Sequence, residues 1–132
     1  LPCQYYFMIG KNYTYSRVAD IWCGIVTKKI MDHLGMGMTM GGPNVVHDRL
    51  SDPVENEQLE RESLKVNETF WKWIDRAEIN IGCHTVADSY DSLLFEAVDC
   101  GIWPQKNEFF KTMSESTNVW LRLAETFMHN AS

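Results

Sequence analysis

YSRVADIWCGIVTKKIMDHL, residues 15–34, decides the fold class. Val18, Ile21, Trp22, Ile25, Val26, Ile30 and Leu34 recur at steps of three and four, which draws one apolar stripe along a helix. Thr14 or Ser16 can cap its start, and Gly35 is a natural stop. Cys23 lies beside the stripe, within reach of a neighbouring helix.

Outward from this helix the periodicity breaks and resumes three times. Residues 35–52 form a glycine-dense connection, Gly35-Met36-Gly37-Met38-Thr39-Met40-Gly41-Gly42-Pro43-Asn44, too flexible to continue a helix. Its methionines offer an adaptable contact surface or thioether ligands for Cu(I). A Gly-rich loop does not fix the geometry that a soft metal needs, so a mobile loop is the preferred reading, with no metal or cofactor expected. Asp52-Pro53-Val54-Glu55 then opens a second helix, with an acceptor at the cap, Pro in the first turn and Glu three residues on. Leu59, Val66, Phe70, Trp73, Ile74, Ala77 and Ile81 mark its apolar side, and the charged half from Glu55 to Lys65 is solvated. A third helix spans Cys83 to Cys100 on Val86, Ala87, Tyr90, Leu93, Leu94 and Ala97. A fourth runs from about Gln105 to Met128, with Phe109, Met113, Trp120, Leu123, Ala124 and Phe127 facing inward; Ser114 to Asn118 is expected to fray or kink it. Apart from Gln4 to Ile9, strand-like alternation is almost absent. The expected fold is an all-α, disulfide-stapled bundle of three to four helices with a long Gly/Met-rich first connection, in a single domain over residues 1–132.

Composition narrows the function classes. A formal net charge of −6 argues against nucleic acid, since phosphate binding needs clustered Lys and Arg. No stretch reaches the roughly 20 apolar residues of a membrane-spanning helix. The opening Leu1-Pro2-Cys3 reads as that of a mature secreted domain, and a membrane anchor could follow Ser132. Acceptor sequons at Asn12, Asn67 and Asn130 point to glycosylation outside the cytosol. Cys3, Cys23, Cys83 and Cys100 are even in number and contain no CxxC unit, so extracellular disulfides are preferred over zinc or redox chemistry. Spacing leaves all three pairings open.

The polar residues give catalysis little support. His33, His47, His84 and His129 lie on different elements at spacings no common metal motif uses. Ser89 and Ser92 lack nucleophile-elbow glycines, and Asp88 and Asp91 share a polar helix face. A non-enzymatic recognition domain is therefore expected, its anchors being aromatic. Phe70, Trp71 and Trp73 cannot all face one core from a single helix, so Trp71 should be partly exposed, while Trp73 is read as core. Trp103-Pro104 forms a constrained turn after Cys100, suited either to partner contact or to lidding the core.

Cys100-Gly101-Ile102-Trp103-Pro104, followed by Asn107-Glu108-Phe109-Phe110, resembles the turn and third helix of receptor activity-modifying protein ectodomains. Phe70-Trp71-Lys72-Trp73 resembles that family's first interhelix junction, although its third disulfide has no counterpart here. The resemblance implies Cys3–Cys100 and Cys23–Cys83 bridges and an extracellular receptor or peptide-hormone partner. It also implies a contact surface around Trp103 and Pro104, to which Trp71 and Phe110 would add. Competing expectations are a secreted four-helix cytokine or hormone and a carrier of small apolar ligands.

Overall fold

In the computed structural model, which describes residues 16–39, 41–42, 52–99 and 108–129, a 3-10 turn at Ser16–Val18 leads into α1 (Ala19–His33). Three further helices follow: α2 (Pro53–Arg76), α3 (Val86–Asp99) and α4 (Glu108–His129). The described residues contain no strand. Gln4 to Ile9 lies outside them. α1 is the central element, packing on both α2 and α3, and α4 leans on α3.

Local chemistry sets most of the helix ends. Val18, and not Ser16, holds the α1 N-cap position, without a side-chain bond, and Thr14 lies outside the described residues. Gly35 stops α1 as expected. It adopts φ 67°, a left-handed backbone that glycine enters without a Cβ clash. Its N–H donates to the Asp32 carbonyl at 3.2 Å and the Met36 N–H to Met31 at 2.8 Å, which satisfies carbonyls the helix would otherwise leave open. At the other side of the connection, the Asp52 carboxylate accepts from the Val54 N–H at 2.8 Å, with Pro53 in the first turn. α3 starts at Val86, the first residue of its apolar pattern and three residues after the expected Cys83, because the Thr85 hydroxyl accepts from the Asp88 N–H at 3.1 Å and starts the helix there. α4 is continuous through Ser114 to Asn118, with Thr117 buried and its hydroxyl donating to the Met113 carbonyl at 2.9 Å.

The core is aromatic at the α1–α2 contact. Trp22 stacks on Phe70 with ring centroids 4.3 Å apart and planes 10° from parallel, and Trp73 meets Phe70 edge-on at 5.9 Å. The Trp22 indole N–H donates to the Asn67 amide oxygen at 2.9 Å, so a buried donor is satisfied where the rings exclude water. Tyr90 of α3 meets Trp120 of α4 edge-on at 5.5 Å. Several apolar residues expected inside lie outside instead: Ile21, Leu59, Ile81, Leu123 and Phe127 are all exposed. On α4 the buried positions are Met113, Thr117 and Leu121, a face rotated away from Leu123 and Phe127.

The disulfide staple is not present in the described part of the fold. Cys23 and Cys83 are both thiols, not halves of a bridge. The geometry explains why. The His33 ring nitrogen Nε2 lies 2.8 Å from the Cys83 carbonyl oxygen, so Cys83 sits at the C-terminal end of α1. Cys23 is ten residues up that helix, about 15 Å along its axis, against the roughly 7 Å Cα separation a disulfide tolerates. The Cys83 thiol donates to the Asp88 carbonyl at 3.4 Å. Cys3 and Cys100 lie outside the described residues.

Candidate functional site

The open faces of α1 and α2 meet in a groove of about 440 Å³. Its floor is apolar, from Ile25 and Ile74, with Gly24 leaving bare backbone on the α1 side. The register of the Trp22–Phe70 stack fixes which residues rise from the rims. Residues one position from each ring turn by about 100° and emerge on the outer side: Ile21 from α1 and Trp71 from α2. Trp71 is 39% exposed, as the three-aromatic argument requires.

The rims carry both signs of charge. The Lys72 ammonium lies 5.6 Å from the Trp71 ring centre, a cation–π distance, and also 3.3 Å from Glu68. The Trp71 N–H donates to the same Glu68 carboxylate at 3.3 Å, which holds the indole from its edge. Lys28 pairs with Asp32 one turn along α1. Lys29 reaches across to donate to the Asp75 backbone carbonyl at 2.9 Å, tying α1 to the last turn of α2. The result is a flat aromatic face beside two ammonium groups and the two carboxylates of Asp32 and Asp75, over an apolar floor. Such a surface can stack a planar or sugar ring and offer hydrogen bonds and counter-charge at its edges.

The other expected site residues are not gathered here. Trp103 and Pro104 lie outside the described residues, as do Asn12 and Asn130; Phe110 belongs to the first turn of α4 by its backbone, with its side chain outside them. Asn67 is half-buried at the α1–α2 contact, its amide oxygen taken by Trp22. His47 is outside the described residues, as is the side chain of His129, while His84 is exposed and His33 closes the end of α1. Among the described residues no three His, Cys, Asp or Glu side chains gather closely enough to hold a metal ion. Nor is any helix among them long and apolar enough to cross a membrane. Lys28, Lys29, Asp32 and Asp75 escaped the sequence reading because their grouping depends on how two helices pack, and no local pattern announces it.

Comparison with known proteins redirects the functional reading. A family model described as "Reversibly glycosylated polypeptide" matches residues 6–129. Probable UDP-arabinopyranose mutase 1 of Solanum tuberosum is 32% identical over 89 residues, covering 67% of this chain and 24% of the relative. UDP-arabinopyranose mutase 1 of Oryza sativa subsp. japonica is 32% identical over 92 residues, 70% of this chain and 25% of its own. Probable UDP-arabinopyranose mutase 4 of Arabidopsis thaliana matches over 127 residues at 24% identity, 94% of this chain and 34% of its own length. The chain thus spans about a quarter to a third of the relatives it matches. No solved structure matches it.

These matches overturn the extracellular reading in each of its parts. The receptor activity-modifying resemblance rests on two short aromatic stretches, whereas the family match runs through nearly the whole chain. With it go the receptor or peptide-hormone partner, the cytokine alternative, the secreted signalling role and the extracellular location. Relatives named as mutases are enzymes, so the expectation of a non-enzymatic module is also corrected.

Proposed function

We propose, from the premise that this chain belongs to the reversibly glycosylated polypeptide family, that it supplies a helical part of an enzyme isomerising UDP-arabinopyranose. The observation that carries the reading is the continuous family match over residues 6–129, together with relatives named for that reaction. The α1–α2 groove is the described surface best suited to touch such a substrate. Trp71 offers a flat face to a base or sugar ring, Lys28 and Lys29 offer charge to a diphosphate, and Asp32 and Asp75 offer acceptors to hydroxyls.

The test uses protein expressed from its complete reading frame and incubated with UDP-arabinopyranose. A new sugar nucleotide of unchanged mass and altered chromatographic mobility is expected. Folded protein that leaves the substrate unchanged overturns the proposal. Trp71→Ala then tests the groove separately, with a several-fold rise in KM expected; an unaltered KM removes the groove from substrate binding and leaves the mutase reading standing.

A further inference from the structure

Glu68, Trp71 and Lys72 close a set of contacts at the α2 rim of the groove. Helix side chains lean toward the helix start, so residues 71 and 72 bend back over residue 68, three and four positions earlier. One carboxylate oxygen of Glu68, Oε2, accepts the Trp71 indole N–H at 3.3 Å and meets the Lys72 ammonium at 3.3 Å. That ammonium in turn stands over the Trp71 ring, 5.6 Å from its centre. Each contact joins exposed groups and is weak alone. Together they hold the indole by one edge and one face.

The arrangement matters because of where the ring stands. Trp22 and Trp73 are enclosed by the core, whereas Trp71 is the aromatic residue lining the groove and has solvent on it. A ligand that stacks on a freely turning side chain loses affinity by ordering it. Glu68 and Lys72 do not line the groove. They grip the ring from outside it and leave its other face open. Because Glu68 occupies the indole N–H, Trp71 offers a ligand π surface and no hydrogen-bond donor.

We propose that Glu68 is a positioning residue of the groove. It sets the Trp71 ring in advance, directly through the indole N–H and indirectly through Lys72, so that a ligand meets a face already in place. Glu68 touches no ligand itself. The role rests on the groove being the substrate surface, while the hold on the ring belongs to the empty protein.

The experiment reads these two parts separately on the complete protein. Without substrate, 5-fluorotryptophan labelling gives a fluorine spectrum in which the Trp71 line is identified by its loss in Trp71→Phe. Glu68→Ala should shift or broaden that line. Glu68→Gln keeps an oxygen for the indole N–H and should largely preserve it. With UDP-arabinopyranose, Glu68→Ala should raise KM about two- to tenfold at unchanged kcat, the cost of ordering one side chain on binding, and Glu68→Gln should raise it less. In a Trp71→Ala background Glu68→Ala should add nothing, because its effect passes through the ring. A Trp71 line indifferent to Glu68→Ala overturns the proposal. So does a KM rise that persists undiminished in the Trp71→Ala background, which would put Glu68 against the substrate or in the general support of α2. If Trp71→Ala raises KM and Glu68→Ala does not, the positioning role fails and the groove stands. If Trp71→Ala leaves KM unaltered, or the substrate is not turned over, both fall.

Discussion

The α1–α2 contact and α4 are made from the same material, amphipathic helices with large apolar residues at three- and four-residue steps, but they use it differently. At the α1–α2 contact the rings of Trp22 and Phe70 are almost wholly enclosed, and the one buried donor on Trp22 has its acceptor in Asn67. On α4 Leu123 and Phe127 stand in solvent, while Thr117 and Leu121 are buried. Amphipathic spacing therefore establishes that a helix forms. It does not establish which stripe faces the core when a helix has two apolar sides. The distinguishing feature at the α1–α2 contact is a buried polar atom with a specific partner, which only one packing arrangement satisfies.

Replacing Trp22 tests that side of the comparison most severely. Trp22→Ala removes the stacked ring, opens a cavity beside Phe70 and leaves Asn67 without its donor; a loss of about 3–5 kcal/mol is expected, read from the midpoint of a denaturant titration. Trp22→Phe keeps a six-membered ring for Phe70 to stack on but removes the indole N–H together with the rest of the five-membered ring, with an expected loss of about 1–3 kcal/mol. If Trp22→Phe is as stable as the parent, the hydrogen bond to Asn67 does not hold the contact, and ring burial alone accounts for it.

The same contrast explains how much could be read from the chain alone. The α2 start was legible because its signals, Asp52 and Pro53, act within one turn. So was the partial exposure of Trp71, since three aromatics within four residues point around the helix in three directions. The inner face of α4 was not, because Thr117 counts as polar in sequence even though its hydroxyl is satisfied by the Met113 carbonyl of its own helix. Ser89 behaves alike on α3, bonding the Thr85 carbonyl at 2.7 Å from a buried position. An even count of cysteines pointed to bridges, but count carries no distance, and Cys23 and Cys83 are held a helix-length apart by the His33 contact. The family relation was illegible because it is diffuse. At 24–32% identity it is spread along the chain, with the family match running over residues 6–129, while the aromatic clusters are short.

A smaller and signed effect comes from two glycines of α1 and its end, which separate backbone need from open space. Gly35 has φ 67°, so Gly35→Ala strains the helix stop by about 1 kcal/mol even though nothing crowds the new methyl. Gly24 lies inside α1, and a Cβ built there meets no heavy atom within 4 Å. Gly24→Ala should therefore raise stability by about 0.5–1 kcal/mol, since alanine loses less backbone freedom on entering a helix. Thermal unfolding of the pair reads both signs at once. A destabilising Gly24→Ala would mean that the groove side of α1 is occupied by structure, and would bring it closer in kind to the enclosed Trp22 side.

The smallest expected effect is the most discriminating for α4. Leu123→Ser removes a large side chain, which at a core position costs several kcal/mol. At 53% exposure on a face with no described neighbour, the change should stay within about 0.5 kcal/mol. The midpoint of a denaturant titration reads it. A loss of about 2 kcal/mol or more would mean that Leu123 is covered within the chain and that α4 is seated by the same rule as α1. An unchanged midpoint would keep Leu123 on an open face, in contrast to the enclosed Trp22.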